Sequence, residues 1–203
     1  MDILNIYYYT SIPLLTCNIL FYSITSLSNS ITSSQNVFKF IVDHKDCDSN
    51  IFKKIVTDLD LENKLRIVES LIYDIIKKFS NTNEEFELTK KELSKPEIIL
   101  KTSIDKNDFM SIETNVYSNV LERIDEPIKI AIISTSEIVQ NINKIINEIN
   151  ERINNYKISY KKSFISLSLN QELSNLKNQV KLLDYRLQLL FELLKIYLPL
   201  RNK

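Results

Sequence analysis

KPEIILKTSIDKNDFMSIETNVYSNV, residues 95–120, interrupts a chain otherwise rich in lysine, asparagine and isoleucine. Ile98, Leu100, Thr102 and Ile104 recur at every second position, and so do Met110, Ile112, Thr114 and Val116 beyond the turn residues Lys106-Asn107-Asp108. Alternation on both sides of a polar turn is the pattern of a β-hairpin with one buried face. A third run, IKIAIIS (128–134), follows Pro127, so the stretch predicts a three-strand meander. Working outward, NIYYYT (5–10) has strand composition. NVFKFIVD (36–43) sets Val37, Lys39 and Ile41 against Phe38, Phe40 and Val42, a strand with two apolar faces.

Between these runs the spacing turns helical. Ser11 is placed as a cap with Pro13 in the first turn, and Ile12, Leu15, Ile19 and Tyr22 share a face. IFKKIVTDL (51–59) carries Ile51, Phe52, Ile55, Val56 and Leu59 at helical spacing. RIVESLIYDIIKKF (66–79) does the same, although KLRIV at its start also reads as a short strand. Residues 80–96 are polar and end in Pro96, which marks a loop or boundary. Ser134 and Glu137 have capping-box spacing and open a helical third, in which Ile138, Ile142, Ile145, Ile149 and Tyr156 keep a seven-residue rhythm. The expected class is therefore α+β, with a mixed-sheet domain over 1–134 and assembly helices over 135–203.

The last helix carries the candidate functional residues. Leu173, Leu176, Val180, Leu183, Leu187, Leu190, Leu194 and Tyr197 form an unbroken a/d heptad row. Leu182, Leu189, Leu193 and Leu198 widen it beyond a two-stranded seam, so the helix belongs in a bundle. The row packs either on this chain's own core or against helices of a partner. Partner binding is the expectation, because the segment after Ser134 offers few other elements to cover it.

Composition removes whole classes of chemistry. The 203 residues contain no glycine, where about 7% is usual. A phosphate-cradling loop, a dinucleotide fingerprint and a nucleophile elbow all need one. Tight turns fall to Asn, Asp and Ser. Lys plus Arg number 26 and Asp plus Glu number 26, so no net field draws the chain to nucleic acid or anionic lipid. Two cysteines without framework spacing, Cys17 and Cys47, suit a reducing compartment. SIPLLTCNILFYSITSL (11–27) is apolar, but no Lys or Arg precedes Lys39, and Thr16, Asn18, Ser23 and Thr25 interrupt it. A soluble, cytoplasmic protein without membrane contact is expected.

DHKDCD (43–48) offers His44, Cys47 and three aspartates, but its simplest role is a solvated turn capping the next helix. NNYKISYKKS (154–163) interleaves Tyr156 and Tyr160 with lysines; a solvated connection is the default and RNA contact the alternative. Neither points to an enzyme, a metal or a cofactor.

The order of elements, with KPEIILKTSIDKNDFMSIETNVYSNVL, SIPLLTCNILFYSIT and LSLNQELSNLKNQVKLLDYRLQLLFELLKIYL, resembles the MPN-domain family of large eukaryotic assemblies. The likeness is greatest to the f-type subunits of translation initiation factor three, and extends to the non-catalytic members of the proteasome lid and signalosome. Catalytic members hold zinc through paired histidines. This chain has one histidine, His44, so the resemblance implies a non-catalytic scaffold. It implies as partners a sister MPN subunit, helical-bundle subunits and an indirect ribosome or RNA association, with no small-molecule substrate. The alternative reading is a mostly helical structural or interaction protein.

Overall fold

The computed structural model describes residues 3–43, 47–93, 116–158 and 169–201. Its elements are α1 (Ile3–Asp43), α2 (Cys47–Asp58), α3 (Leu61–Phe79), α4 (Asn83–Leu93), α5 (Val116–Arg123), α6 (Glu126–Ile158) and α7 (Asn170–Arg201). There is no strand among the described residues. The α+β expectation is thereby corrected to an all-helical bundle. The runs at 5–10 and 36–43 both lie in α1, and 128–134 lies in α6. The hairpin expected over 97–115 falls outside the described residues, while Val116 to Val120, its expected last strand residues, are helical. The element order behind the MPN resemblance is therefore absent from what is described.

Burial shows why helix wins. In α6, Ile128, Ile132, Thr135, Val139, Ile142, Ile146 and Ile149 are all fully buried, a strict alternation of four- and three-residue steps. A strand over 128–134 would bury Ile130 together with Ile128. Instead Ile130 is 60% exposed. Asp125 starts the helix, its carbonyl accepting from the Ile128 and Lys129 amides, with Pro127 in the first turn, where its missing N–H costs nothing. Ser134 is not a cap: its hydroxyl and that of Thr135 donate back to the Ala131 carbonyl within the helix. The division at residue 134/135 falls inside this continuous helix.

α1 carries the matching seam. Cys17, Leu20, Ile24, Leu27, Ile31, Ser34 and Phe38 are buried at the same spacing. Val37 and Phe38 turn inward while Lys39 and Phe40 face out, a helical rather than an alternating pattern. The helix also runs through Ser11 and Pro13, which are interior rather than a cap and first turn. Small hydroxyl residues let α1 and α6 approach closely. Ser136 donates to the Ser23 carbonyl at 2.6 Å, and Ser34 donates to Asn143 Oδ1 at 3.1 Å. The two contacts advance together along both helices, so α1 and α6 run parallel. α7 lies along the other side of α6. Arg152 and Glu172, 2.8 Å apart, bring the end of α6 beside the start of α7, so these two run antiparallel.

The shorter helices close the bundle. α3 buries Leu61, Leu65, Val68, Ile72, Ile75 and Phe79, so KLRIV is helix and not strand. The turn before it uses Asp60 in the left-handed region (φ 51°, ψ 35°), where glycine would be usual, and its carbonyl accepts from the Lys64 amide. Residues 83–93 are helical rather than loop because their first turn is well capped. Thr82 Oγ1 accepts from the Glu85 amide, and Glu85 Oε2 accepts from the Asn81 amide. Glu84 and Glu85 open the helix and Lys90 and Lys91 close it, complementing its dipole. Arg123 of α5 pairs with Glu85, tying α5 to this cap.

Two outcomes follow. Ile142→Ala, which opens a cavity in the seam, should cost about 2–5 kcal/mol in chemical denaturation, whereas Leu182→Ala on the outer surface should change stability by less than about 1 kcal/mol. Burial pushes the Glu85 carboxyl up, but hydrogen bonds from the Asn81 amide and from Arg123, together with the Arg123 charge, outweigh it and hold the carboxyl below its ordinary value of 4.5. A lowered folded value stabilises above the ordinary value and is lost as pH falls through the folded one. Acidification below about 4.5 should therefore loosen the α4–α5 contact, and Glu85→Gln should flatten that dependence in pH-resolved denaturation.

Candidate functional site

α7 has two apolar faces. Its inner face is the heptad row read from the sequence. Leu176, Val180, Leu183, Leu187, Leu190 and Leu194 are buried, while Leu173 and Tyr197 are partly buried against the same core. What covers this row is the chain itself, through α6 and α3. Its outer face carries Leu182, Tyr185, Leu189 and Ile196, which are 46%, 71%, 40% and 58% exposed. Leu182, Leu189 and Ile196 are seven residues apart and Tyr185 falls between the first two, so the four line one stripe. Leu182 and Leu189 were legible as a widening of the row. Tyr185 and Ile196 were missed, and the signal that finds them is a second seven-residue register offset from the first.

A groove of about 840 Å³ opens between α3 and α7 on the side of the Ser80–Asn83 turn. Leu71, Ile75, Phe191 and Leu194 form its apolar part, with Lys78 and Asn81 among its polar lining. Lys64 and Asp184, 2.8 Å apart, join the same two helices further along. An apolar floor inside a polar rim suits the side chains of a protein segment more than a charged small molecule. A second groove of about 430 Å³, between α1 and α6, is lined mainly by Asn29, Thr32, Ser33, Asn36 and Asn150. Val37 and Phe40 complete its lining.

The remaining chemistry is sparse. No group of three or more His, Cys, Asp or Glu residues is placed to hold a metal among the described residues. His44 lies outside them, and so do residues 159–163 of the lysine–tyrosine segment, whereas 154–158 complete α6. No described helix is long and apolar enough to cross a membrane. Comparison with protein families, with curated proteins and with solved structures finds no match. What fold and surface define is an all-helical bundle whose C-terminal helix presents an apolar stripe outward.

Cys17 is buried as a free thiol between α1 and the start of α6. Burial raises its pKa above the ordinary 9.0, against the opposing charge of Lys129. The thiolate is the reactive form, so Cys17 should resist alkylation in the native protein at neutral pH and react promptly in denaturant, as mass spectrometry of labelled peptides would record.

Proposed function

We propose that this chain is a non-catalytic interaction protein, a helical bundle that acts by presenting the outer face of α7 to a protein partner. The observation that carries the reading is the stripe Leu182–Tyr185–Leu189–Ile196, four large apolar side chains each 40% or more exposed at heptad spacing. Single exposed hydrophobes are common on protein surfaces, but four on one helical stripe, interrupted only by Glu192, are the signature of an interaction face. Heptad spacing further selects the partner's form, because such a row is complementary to another helix laid along it. The groove floored by Phe191 and Leu194 lies on a different flank of α7, toward α3, and is a separate apolar surface.

The scaffold role implied by the sequence resemblance rested on a β meander and on the heptad row of α7; the described residues form no sheet, and the row is covered by α6 and α3. An interaction role survives on different grounds, the outward face of α7 rather than its inner row. Leu189→Lys should abolish stoichiometric association, with self or another protein, while far-ultraviolet circular dichroism and the denaturation midpoint stay near wild type. Associations that are identical in the variant and the wild type, read by cross-linking and sedimentation, would refute the reading.

A further inference from the structure

We infer that the occupant of the outer face of α7 is α7 of a second copy of this chain, laid antiparallel to it. The inference rests on the interaction reading above and names its partner. Isologous pairing requires a self-complementary surface, and the stripe supplies one. A two-fold axis between Leu190 and Phe191 would set Tyr185 against Ile196 of the second copy and Leu182 against its Pro199, an exposed residue in the last turn. Leu189 would lie along the stem of the other copy's Glu192, whose carboxylate already holds Lys195 of its own helix at 2.7 Å. The Gln188 amide of the opposite copy stands at the same level on the same flank and can donate to that carboxylate. Arg186 would pack toward Leu193 and lie level with Lys195 on the other flank, and the two Glu192 residues would sit in adjacent layers, staggered by three residues, each held by Lys195 of its own helix.

The parallel arrangement is disfavoured by the same residues. It would place Glu192 against its own counterpart in the seam and Lys181 beside Arg186 of the second copy. The four stripe residues expose on the order of 400 Å² per copy, or about 800 Å² for the pair, so the flanking residues of the overlap supply the remainder of the roughly 1,000 Å² that a specific interface needs. An antiparallel overlap over most of α7 adds those flanks, and the bundle's long α6 and α7 give the pair a rigid base.

The test is sedimentation equilibrium of the full chain over a wide concentration range, combined with a register-specific cross-link. The expected result is a monomer–dimer equilibrium that Leu189→Lys weakens about a hundredfold without loss of helicity. In a Cys47→Ser background, Tyr185→Cys mixed with Ile196→Cys should form a disulfide-linked dimer on addition of a mild oxidant, whereas either variant alone should not. A monomer at every concentration overturns the inference, as does a dimer indifferent to Leu189→Lys. A dimer lacking the mixed cross-link overturns the antiparallel register. A monomer that binds a different protein through the stripe overturns the second copy but leaves the interaction reading standing. A monomer with no association sensitive to Leu189→Lys overturns both.

Discussion

The bundle depends on the burial of one helix from two sides. α6 lies between α1 and α7, and its seam from Ile128 to Ile149 is completely withdrawn from solvent. A helix with apolar residues over more than one stripe cannot satisfy them with a single neighbour. It needs a cover on each side, and each cover must be nearly as long. α1 with 41 residues and α7 with 32 meet that need beside the 33 of α6. Both covers repeat the alternation of three- and four-residue steps, so knobs on each helix meet holes on the next along the whole contact.

The absence of glycine shapes how these helices meet. Close approach between helices usually uses the smallest side chains, and here serine and threonine take that place. Ser34, Thr135 and Ser136 are fully buried yet satisfied, by Asn143, by the Ala131 carbonyl and by the Ser23 carbonyl respectively. Thr25 likewise returns its hydroxyl to the Phe21 carbonyl. Each such bond spares the core an unpaired polar group, which would cost about 1–3 kcal/mol. Polar composition inside the seam is thus compatible with a fully packed interior.

The same composition misleads a reading by alternation. A chain loaded with isoleucine and valine places β-branched residues in helices, where intrinsic propensity is only a weak prior and packing overrides it. Over a window as short as IKIAIIS, period two and period 3.6 share several positions, and Ile128, Ile130 and Ile132 fit a strand as well as Ile128 and Ile132 fit a helix. Only extension decides. Continued to Thr135, Val139, Ile142 and Ile146, the helical register holds without a break and the strand register does not. The polar stretch 83–93 failed for the opposite reason. It has little apolar periodicity to read, and its helix is held by the Thr82 and Glu85 caps and by the packing of Thr89 and Leu93.

By itself the sequence determined the helices of residues 51–59 and 66–79, the heptad row of α7, and the need for Asn, Asp or Ser in place of glycine at tight turns, a need that Asp60 meets at one of them. These are local properties, set by spacing and by backbone sterics within a few residues. What covers the inner face of α7 was a property of the assembled bundle. Its register is apolar at every step, whereas the outer one is broken at Asn175, Asn178 and Glu192, but periodicity could not say whether this chain or a partner covers a row, and the expected partner-facing row is the one that α6 and α3 cover. Leu182, Tyr185, Leu189 and Ile196 were left outward because neighbours of fixed length and direction reach only one side of the helix, and that geometry exists only once α1, α6 and α7 have packed together.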